Sequence, residues 1–352
     1  METKITSIKQ PGYENVISFH NPKLNLKGFI AVHSTKLGPS LGGVRMRPYK
    51  NEEEALTDVL RLSKAMTYKA TSVDLPLGGG KCVVFGNPLQ DKTKELFVEL
   101  GKVIDTLNGS YLAAEDSGTS IQDMKWIHQS TPHVTGTNRE GDPSPVTALG
   151  VFQGIATYLE VALNIRTLKG VKIAIQGVGN VGFPLAEKLF KSGAELTVCD
   201  PNPDNLARAQ KKLVVKVVAP EKILEQPVDV FTPCAYGGVL NPENIARLNC
   251  KIVAGAANNQ FLDEEKDPKR LHDRGIWHAP DYINNAGGII NLFCEHHKEI
   301  HKLMPRMAMI PKRLREVLAI AQKENKAPLY VANALVEKIL RTNKSEATSQ
   351  RC

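Results

Sequence analysis

Val171-Lys172-Ile173-Ala174-Ile175-Gln176-Gly177-Val178-Gly179-Asn180-Val181-Gly182 decides the fold. A short apolar run of strand length passes directly into G-x-G-x-x-G, and a helix is predicted to follow over Phe183–Ser192. Gly193 breaks the pattern, a second apolar run follows, and Asp200 closes it, roughly 20 residues beyond the glycines. A lone glycine triplet is weak evidence. A strand before it, a helix after it and an acid closing the next strand make the full dinucleotide-binding fingerprint. Gly177 permits the tight turn, Gly179 lets backbone approach a pyrophosphate, and Gly182 lets helix pack on strand. The helix start adds free N–H groups and the positive end of its dipole. Gly177, Val178, Gly179, Asn180, Val181, Gly182 and Phe183 therefore form the predicted phosphate cradle. Asp200 would accept from both ribose hydroxyls and repel a 2′-phosphate, which points to NAD rather than NADP.

Downstream, short apolar runs alternate with helical patterns, as parallel α/β sheets require. The predicted strands are Val171–Gln176, Glu195–Cys199, Val228–Thr232 and Lys251–Ala254. Upstream, Glu52–Met66 carries a helical stripe of Ala55, Leu56, Val59, Leu60, Leu62 and Ala65. Thr135 to Pro145 is rich in breakers and reads as a hinge. The polar end, Lys344 to Cys352, is expected to fray.

A chain of 352 residues accommodates two domains, and its 42% hydrophobic and 23% charged residues match a soluble globular protein. No apolar run approaches the roughly 18–20 residues of a membrane helix. The start, Met1-Glu2-Thr3-Lys4-Ile5-Thr6, lacks the plan of a signal peptide. Six scattered cysteines without a C-x-x-C pair read as reduced thiols. A cytoplasmic protein is expected, with no membrane partner. The net charge of +8 is spread along the chain without a basic block, so no nucleic-acid partner is expected either.

Two lysines flank a glycine-rich stretch: Met66-Thr67-Tyr68-Lys69 lies before Leu75-Pro76-Leu77-Gly78-Gly79-Gly80, and Lys81 follows it. Three consecutive glycines cost folding entropy, which implies that a close backbone approach is served. Two ammonium groups held close in a partly apolar cleft favour loss of one proton. One can then act as a base while the other holds a carboxylate. Ala114-Glu115-Asp116 follows an apolar run, and strand alternation would point only one of the two acids into the cleft. Spacing alone leaves surface lysines and a loop acid as an open reading.

Further segments occur in a telling order: Leu41-Gly42-Gly43-Val44-Arg45-Met46, the two lysine stretches, Ala114-Glu115-Asp116, and Pro143-Ser144-Pro145-Val146-Thr147. The glycine fingerprint, Gly255-Ala256-Ala257-Asn258-Asn259-Gln260 and Ala279-Pro280-Asp281-Tyr282 complete the set. From about residue 25 to 340 the chain resembles the Glu/Leu/Phe/Val dehydrogenase family, most closely its branched-chain members. The resemblance implies an α/β protein of two domains separated by a cleft. Residues 1–139 with 328–352 would carry substrate, catalysis and oligomerisation, and 140–327 would be a doubly wound Rossmann NAD domain. It implies an NAD-dependent oxidative deamination of a branched-chain L-amino acid to the 2-oxo acid and ammonia by a homo-oligomer.

Residue by residue, it implies that Lys69 binds the substrate carboxylate, Lys81 activates the hydrolytic water, and Asp116 shuttles protons at the substrate nitrogen. Gly42 and Gly43 would line the cleft through backbone, beside Leu41 and Ala114. Asn285 would help hold the substrate, and Thr147 and Asn259 would stand near the nicotinamide. Cys234 and Ala235 would supply backbone around the adenosine ribose. Ile289 and Leu292 stand where the branched-chain members carry two pocket valines. Asn284 replaces an apolar residue and Ser117 a valine. A phenylalanine-type or other amino-acid specificity is the alternative, and a non-catalytic NAD-binding protein the competitor from another class. No metal is expected. On one helix face Cys294, His297 and His301 could present three ligands, but such a run is more often a solvated face.

Overall fold

A computed structural model describes residues 2–137 and 142–349, with backbone alone for 343–349. The chain divides into two compact units. One comprises Met1–Gly141, Glu295–Glu299 and Val336–Cys352, and the other Asp142–Cys294 and Ile300–Leu335. The divisions fall at 141/142 and 335/336, where the sequence reading has 139/140 and 327/328.

In the first unit, strands β1 (Lys4–Ser7), β2 (Asn15–Asn21), β3 (Leu26–Ser34), β4 (Ser40–Arg47), β5 (Gly78–Phe85) and β6 (Tyr111–Glu115) form one mixed sheet. Its order is β1-β2-β3-β5-β4-β6, with β5, β4 and β6 mutually parallel and the rest antiparallel. Helix α1 (Glu52–Ser72) connects β4 to β5 and α2 (Lys94–Asp105) connects β5 to β6, while α3 (Ile121–Ile127) follows β6. Period-two alternation assigns each strand residue to a layer. Ile17, Ile30 and Val84 join the core with Leu96, Leu100 and Met124 of α2 and α3. Val16, Phe29, Ala31 and Val83 pack with Ala55 and Val59 of α1. Helix α1 starts where its sequence dictates: Asn51 accepts from the Glu54 N–H at 2.8 Å, and three glutamates fill the first turn. It runs six residues past the predicted end at Met66, to Ser72. Its last turns bury Thr67, Thr71 and Ser72, whose polarity hid the helical face.

The second unit holds α4 (Ser144–Leu163), β7 (Lys172–Gln176), α5 (Gly182–Lys191), β8 (Glu195–Cys199), α6 (Pro203–Lys212) and β9 (Val215–Val217). Then follow β10 (Val230–Pro233), α7 (Pro242–Arg247), β11 (Ile252–Val253), α8 (Asp267–Asp273), β12 (Trp277–His278), α9 (Asp281–Asn284) and α10 (Gly287–His296). Helices α11 (Leu303–Met307) and α12 (Met309–Glu324) follow, and α13 (Pro328–Ser349) begins in this unit and belongs to the first from Val336 on. The six strands are all parallel in the order β12-β11-β10-β7-β8-β9, the doubly wound arrangement with its switch point between β7 and β10. Helix α13 continues to Ser349, through most of the segment expected to fray.

Helix α4 corrects the statement that no apolar segment is long enough to cross a membrane. Its 20 residues, with a mean hydropathy of 1.5, suffice by length and composition. Burial accounts for that apolarity: Ala148, Val151, Ile155 and Tyr158 are fully buried, and Gly150 and Gly154 admit Ile310 and Leu314 of α12. Ser144 and Pro145, read as part of a hinge, open this helix; residues 138–141 of that run lie outside the described residues.

Candidate active site

Strand register assembles the first cluster. Gly43 pairs with Ala114 across β4 and β6, as Leu41 pairs with Leu112 and Gly42 with Ala113. On the other side of β4, Leu41 pairs with Gly79 and Val44 with Cys82 of β5. Lys81 on β5 and Asp116, just past β6, are thus brought to the same stretch of β4 from opposite sides. The Lys81 Nζ stands 2.6 Å from Asp116 Oδ2, with the lysine side chain 7% exposed. Between them Gly43 is obligatory, because a Cβ there would stand 2.5 Å from the Cβ of Asp116. The turn Asp116-Ser117-Gly118-Thr119 fixes the carboxylate's origin. The Asp116 N–H donates to Thr119 Oγ1 at 3.0 Å, and Gly118 takes φ +83°, where a Cβ would stand 2.0 Å from the Met46 carbonyl oxygen. Glu115 points to the exposed side, so of the two adjacent acids Asp116 alone meets Lys81.

The glycine triplet serves backbone packing. A Cβ on Gly79 would stand 2.0 Å from the Thr67 nitrogen, and one on Gly42 would stand 1.6 Å from the Gly80 carbonyl oxygen. The first contact seats α1 directly on β5, and Lys69 lies half-buried in the last turns of that helix, two residues beyond Thr67. Leu41 and Ala114 are themselves buried, at 4% and 3% exposure.

Arg45 was not among the predicted site residues. Its Nε donates to Asp116 Oδ2 at 3.1 Å and its Nη1 to Asp58 Oδ2 at 3.3 Å, while the Tyr49 hydroxyl donates to Asp58 at 2.8 Å. Burial opposes the charge on Asp116, but the neighbouring Lys81 and Arg45 outweigh it and hold the carboxyl down at about 2. Asp116 is therefore an anion across the physiological range.

In the second unit the fingerprint takes the predicted form. Gly177 has φ +93° and faces the Cys234 carbonyl and Ala235. A Cβ on Gly182 would stand 1.9 Å from the Gly177 oxygen. Gly179, by contrast, faces open space except for Asn205 Nδ2 at 3.9 Å. Helix α5 begins at Gly182, one residue before the predicted start, with Val181 as its first flanking residue and Asn180 in the turn. Asp200, 8% exposed, accepts from the N–H of Val178 and of Asn202, both at 2.8 Å, and from Asn205 Nδ2 at 3.3 Å. Arg208, also absent from the predicted set, donates to the Val178 carbonyl at 2.8 Å, its guanidinium 4.3 Å from the centre of the Phe183 ring. Open space over Gly179, a helix N-terminus below it and an acid at the end of β8 fit a dinucleotide: the cradle would hold the pyrophosphate and Asp200 the adenosine ribose.

Other predicted residues gather at the carboxyl end of the same sheet. Asn285 donates from Nδ2 to the Ala256 carbonyl at 2.9 Å and to Asn258 Oδ1 at 2.8 Å. Its own Oδ1 is buried and has no hydrogen-bond partner among the described residues. Asn259 adopts φ +51°, with its N–H donating to Asp281 at 2.5 Å. Thr147 donates to the Pro143 carbonyl at 3.3 Å, and Gly288 leaves room for its hydroxyl. Asn284 is fully buried and ties α9 to the Gly255 carbonyl at 3.0 Å. Ile289 is buried on α10 and Leu292 half-buried.

The three-ligand helix face does not form. Helix α10 stops at His296, Lys298 turns left-handed at φ +53°, Cys294 is buried, and His301 lies in a separate 3-10 turn. Among the described residues no group of three or more His, Cys, Asp and Glu is placed to hold a metal ion.

The family model described as Glu/Leu/Phe/Val dehydrogenase, dimerisation domain, matches residues 14–133, and that of glutamate/leucine/phenylalanine/valine dehydrogenase matches 200–344. The chain is 43% identical over 327 residues to leucine dehydrogenase of Thermoactinomyces intermedius, covering 91% of this chain and 88% of that one. It is 41% identical over 338 residues to phenylalanine dehydrogenase of Caldalkalibacillus thermarum, covering 93% and 91%. The crystal structure of L-tryptophan dehydrogenase from Nostoc punctiforme superposes with a TM-score of 0.83 at 37% identity, covering 95% of this chain and 97% of that one.

Proposed function

The chain belongs to the Glu/Leu/Phe/Val dehydrogenase family and is an amino-acid dehydrogenase, and on that premise we propose that it oxidatively deaminates a branched-chain L-amino acid with NAD. The observation that carries this reading is the Lys81–Asp116 contact at 2.6 Å in a chain that also holds a complete dinucleotide cradle. When bound, NAD supplies the hydride acceptor for the substrate Cα. The ammonium of Lys69 holds the substrate carboxylate. Lys81 takes a proton from the water that attacks the imino carbon, and Asp116 gives and takes the proton at the substrate nitrogen. Collapse of the resulting carbinolamine releases ammonia and the 2-oxo acid. The orphaned Oδ1 of Asn285 is an acceptor suited to an N–H donor of the bound reactants. A homo-oligomer assembled through residues 14–133 is part of the same proposal, supported by the name of the model that matches them. The test is reduction of NAD with a panel of L-amino acids. No reduction with any aliphatic substrate would refute the assignment.

NAD is expected to be preferred over NADP, because the Asp200 carboxylate, at the end of β8, would repel a 2′-phosphate on a ribose held there. Comparison of kcat/KM for the two cofactors decides it, and a preference for NADP would remove Asp200 from the ribose. Among substrates, valine is expected to rival leucine and phenylalanine to be poor. Ile289 and Leu292 each exceed valine by one methylene, and one methylene in an apolar pocket changes selectivity by about 1–3 kcal/mol. In Ile289→Val/Leu292→Val the ratio of kcat/KM for leucine over valine should rise. An unchanged ratio, or phenylalanine as the best substrate of the unaltered enzyme, would show that other residues set the pocket.

A further inference from the structure

Alternation along β4 puts Gly43 and Arg45 on one face of the strand. Gly43 vacates the space that the Asp116 Cβ fills, and Arg45 then meets the same carboxylate at its tip. Both cations converge on one oxygen: Lys81 Nζ at 2.6 Å and Arg45 Nε at 3.1 Å from Oδ2. The guanidinium is itself anchored on its far side by Asp58 of α1, whose oxygen also accepts from Tyr49. Arg45, Asp58 and Asp116 are each about one-fifth to one-quarter exposed, at 21%, 20% and 24%. The titratable groups around the pair are Lys81 and Cys82 on β5, Arg45 on β4, Tyr111 on β6 and Asp58 on α1, with Tyr49 behind Asp58.

We propose that Arg45 is a positioning residue for proton transfer at the Lys81–Asp116 pair: it holds Oδ2 against the lysine and balances the carboxylate when the lysine proton leaves. This rests on the roles proposed above for Lys81 and Asp116. The four charges of Lys81, Arg45, Asp116 and Asp58 cancel while the lysine is protonated. Once the lysine is neutral, Asp116 still has a cation bonded to the same oxygen, so the anion does not have to be neutralised by the departing proton. A guanidinium suits this place because it cannot give up its own proton there, whereas a second lysine would compete. Removing the positive charge beside the pair should let the pair keep its proton to higher pH. Removing the negative charge of Asp58 should act in the opposite direction.

The experiment is the pH dependence of kcat for the full chain with NAD and its best amino acid, for the unaltered enzyme, R45Q, R45K and D58N. In R45Q the limb that rises with pH should move up by about one pH unit, and kcat below it should fall about tenfold. R45K, which keeps a cation in place, should move it less, and D58N should move it down. Calorimetric NAD affinity should be unchanged in all three. A uniform loss of kcat with an unmoved limb, or displacement of R45Q and D58N in the same direction, would overturn the proposal. Should R45Q fail to fold, D58N decides alone, and an unmoved or raised limb there refutes the role. The same shifts are read without turnover by titrating isotope-labelled lysine, with the Lys81 signal assigned by its loss in K81A. An enzyme that reduces no NAD yet shows these shifts would refute the proposed reaction and leave Arg45's part standing.

Discussion

Lys81→Ala is expected to lower kcat by at least about 10²-fold while leaving NAD affinity unchanged. A factor of that size corresponds to about 2.7 kcal/mol of barrier, the scale of one lost acid–base group. The geometry favours a clean result. Lys81 is buried, its side chain 7% exposed, at the end of a 2.6 Å ion pair. Asp116 keeps Arg45 at 3.1 Å after the truncation and is not left as an uncompensated charge, so the first unit should remain folded. The residues of the dinucleotide cradle, Gly177 to Phe183 with Asp200, all belong to the second unit. Steady-state turnover and calorimetric titration with NAD check both halves. Near-full turnover in the variant would remove Lys81 from the chemistry.

Gly79→Ala should cost stability and amino-acid affinity together. Alanine normally gains over glycine in a strand by about 0.5–1 kcal/mol. Here its methyl would stand 2.0 Å from the Thr67 nitrogen, 2.4 Å from Thr67 Oγ1 and 2.5 Å from the Ser63 carbonyl oxygen. Two of those three atoms are helix backbone, which cannot swing aside as a side-chain end can. Helix α1 must lift from β5, at a cost of about 1–3 kcal/mol for an overpacked contact, and Lys69 moves with it. Denaturant unfolding should show the lower midpoint, and KM for the amino acid should rise several-fold with a smaller change in kcat. An unchanged midpoint and KM would show that the helix does not depend on this contact to seat Lys69.

The dinucleotide half was legible because its determinants are local. Gly177, Gly179, Gly182 and Asp200 lie on one βαβ unit, and Glu195–Cys199 is a strand with the predicted ends. Boundaries slipped where burial is two-sided or elements are short: Lys251–Ala254 contracts to Ile252–Val253, and Val228–Thr232 shifts to Val230–Pro233. Arg45 was illegible for another reason. Its partners Asp58 and Asp116 lie 13 and 71 residues away, and only the parallel register of β4 with β6 brings the second into reach. The signal that could have found it is the two-residue spacing from Gly43, which places both on one strand face. Cys294, His297 and His301, whose spacing could have made a ligand face, share no helix face because the helix ends before His297, a fact that no count of i and i+4 spacings contains.

The Val178 peptide is gripped at both ends, its N–H by Asp200 and its carbonyl by Arg208. If Asp200 is the ribose acceptor proposed above, one aspartate would also be a strut of the glycine-rich loop, which couples two properties that a protein engineer would wish to vary separately. Exchanging Asp200 for a small apolar residue to admit a phosphorylated ribose would also strand a buried donor, at about 1–3 kcal/mol, and slacken the cradle for either cofactor. Replacements that retain an acceptor, asparagine or serine, keep the strut while shedding the charge. The substitutions at position 200 that would admit a phosphorylated ribose without slackening the loop are therefore few, and they are polar ones.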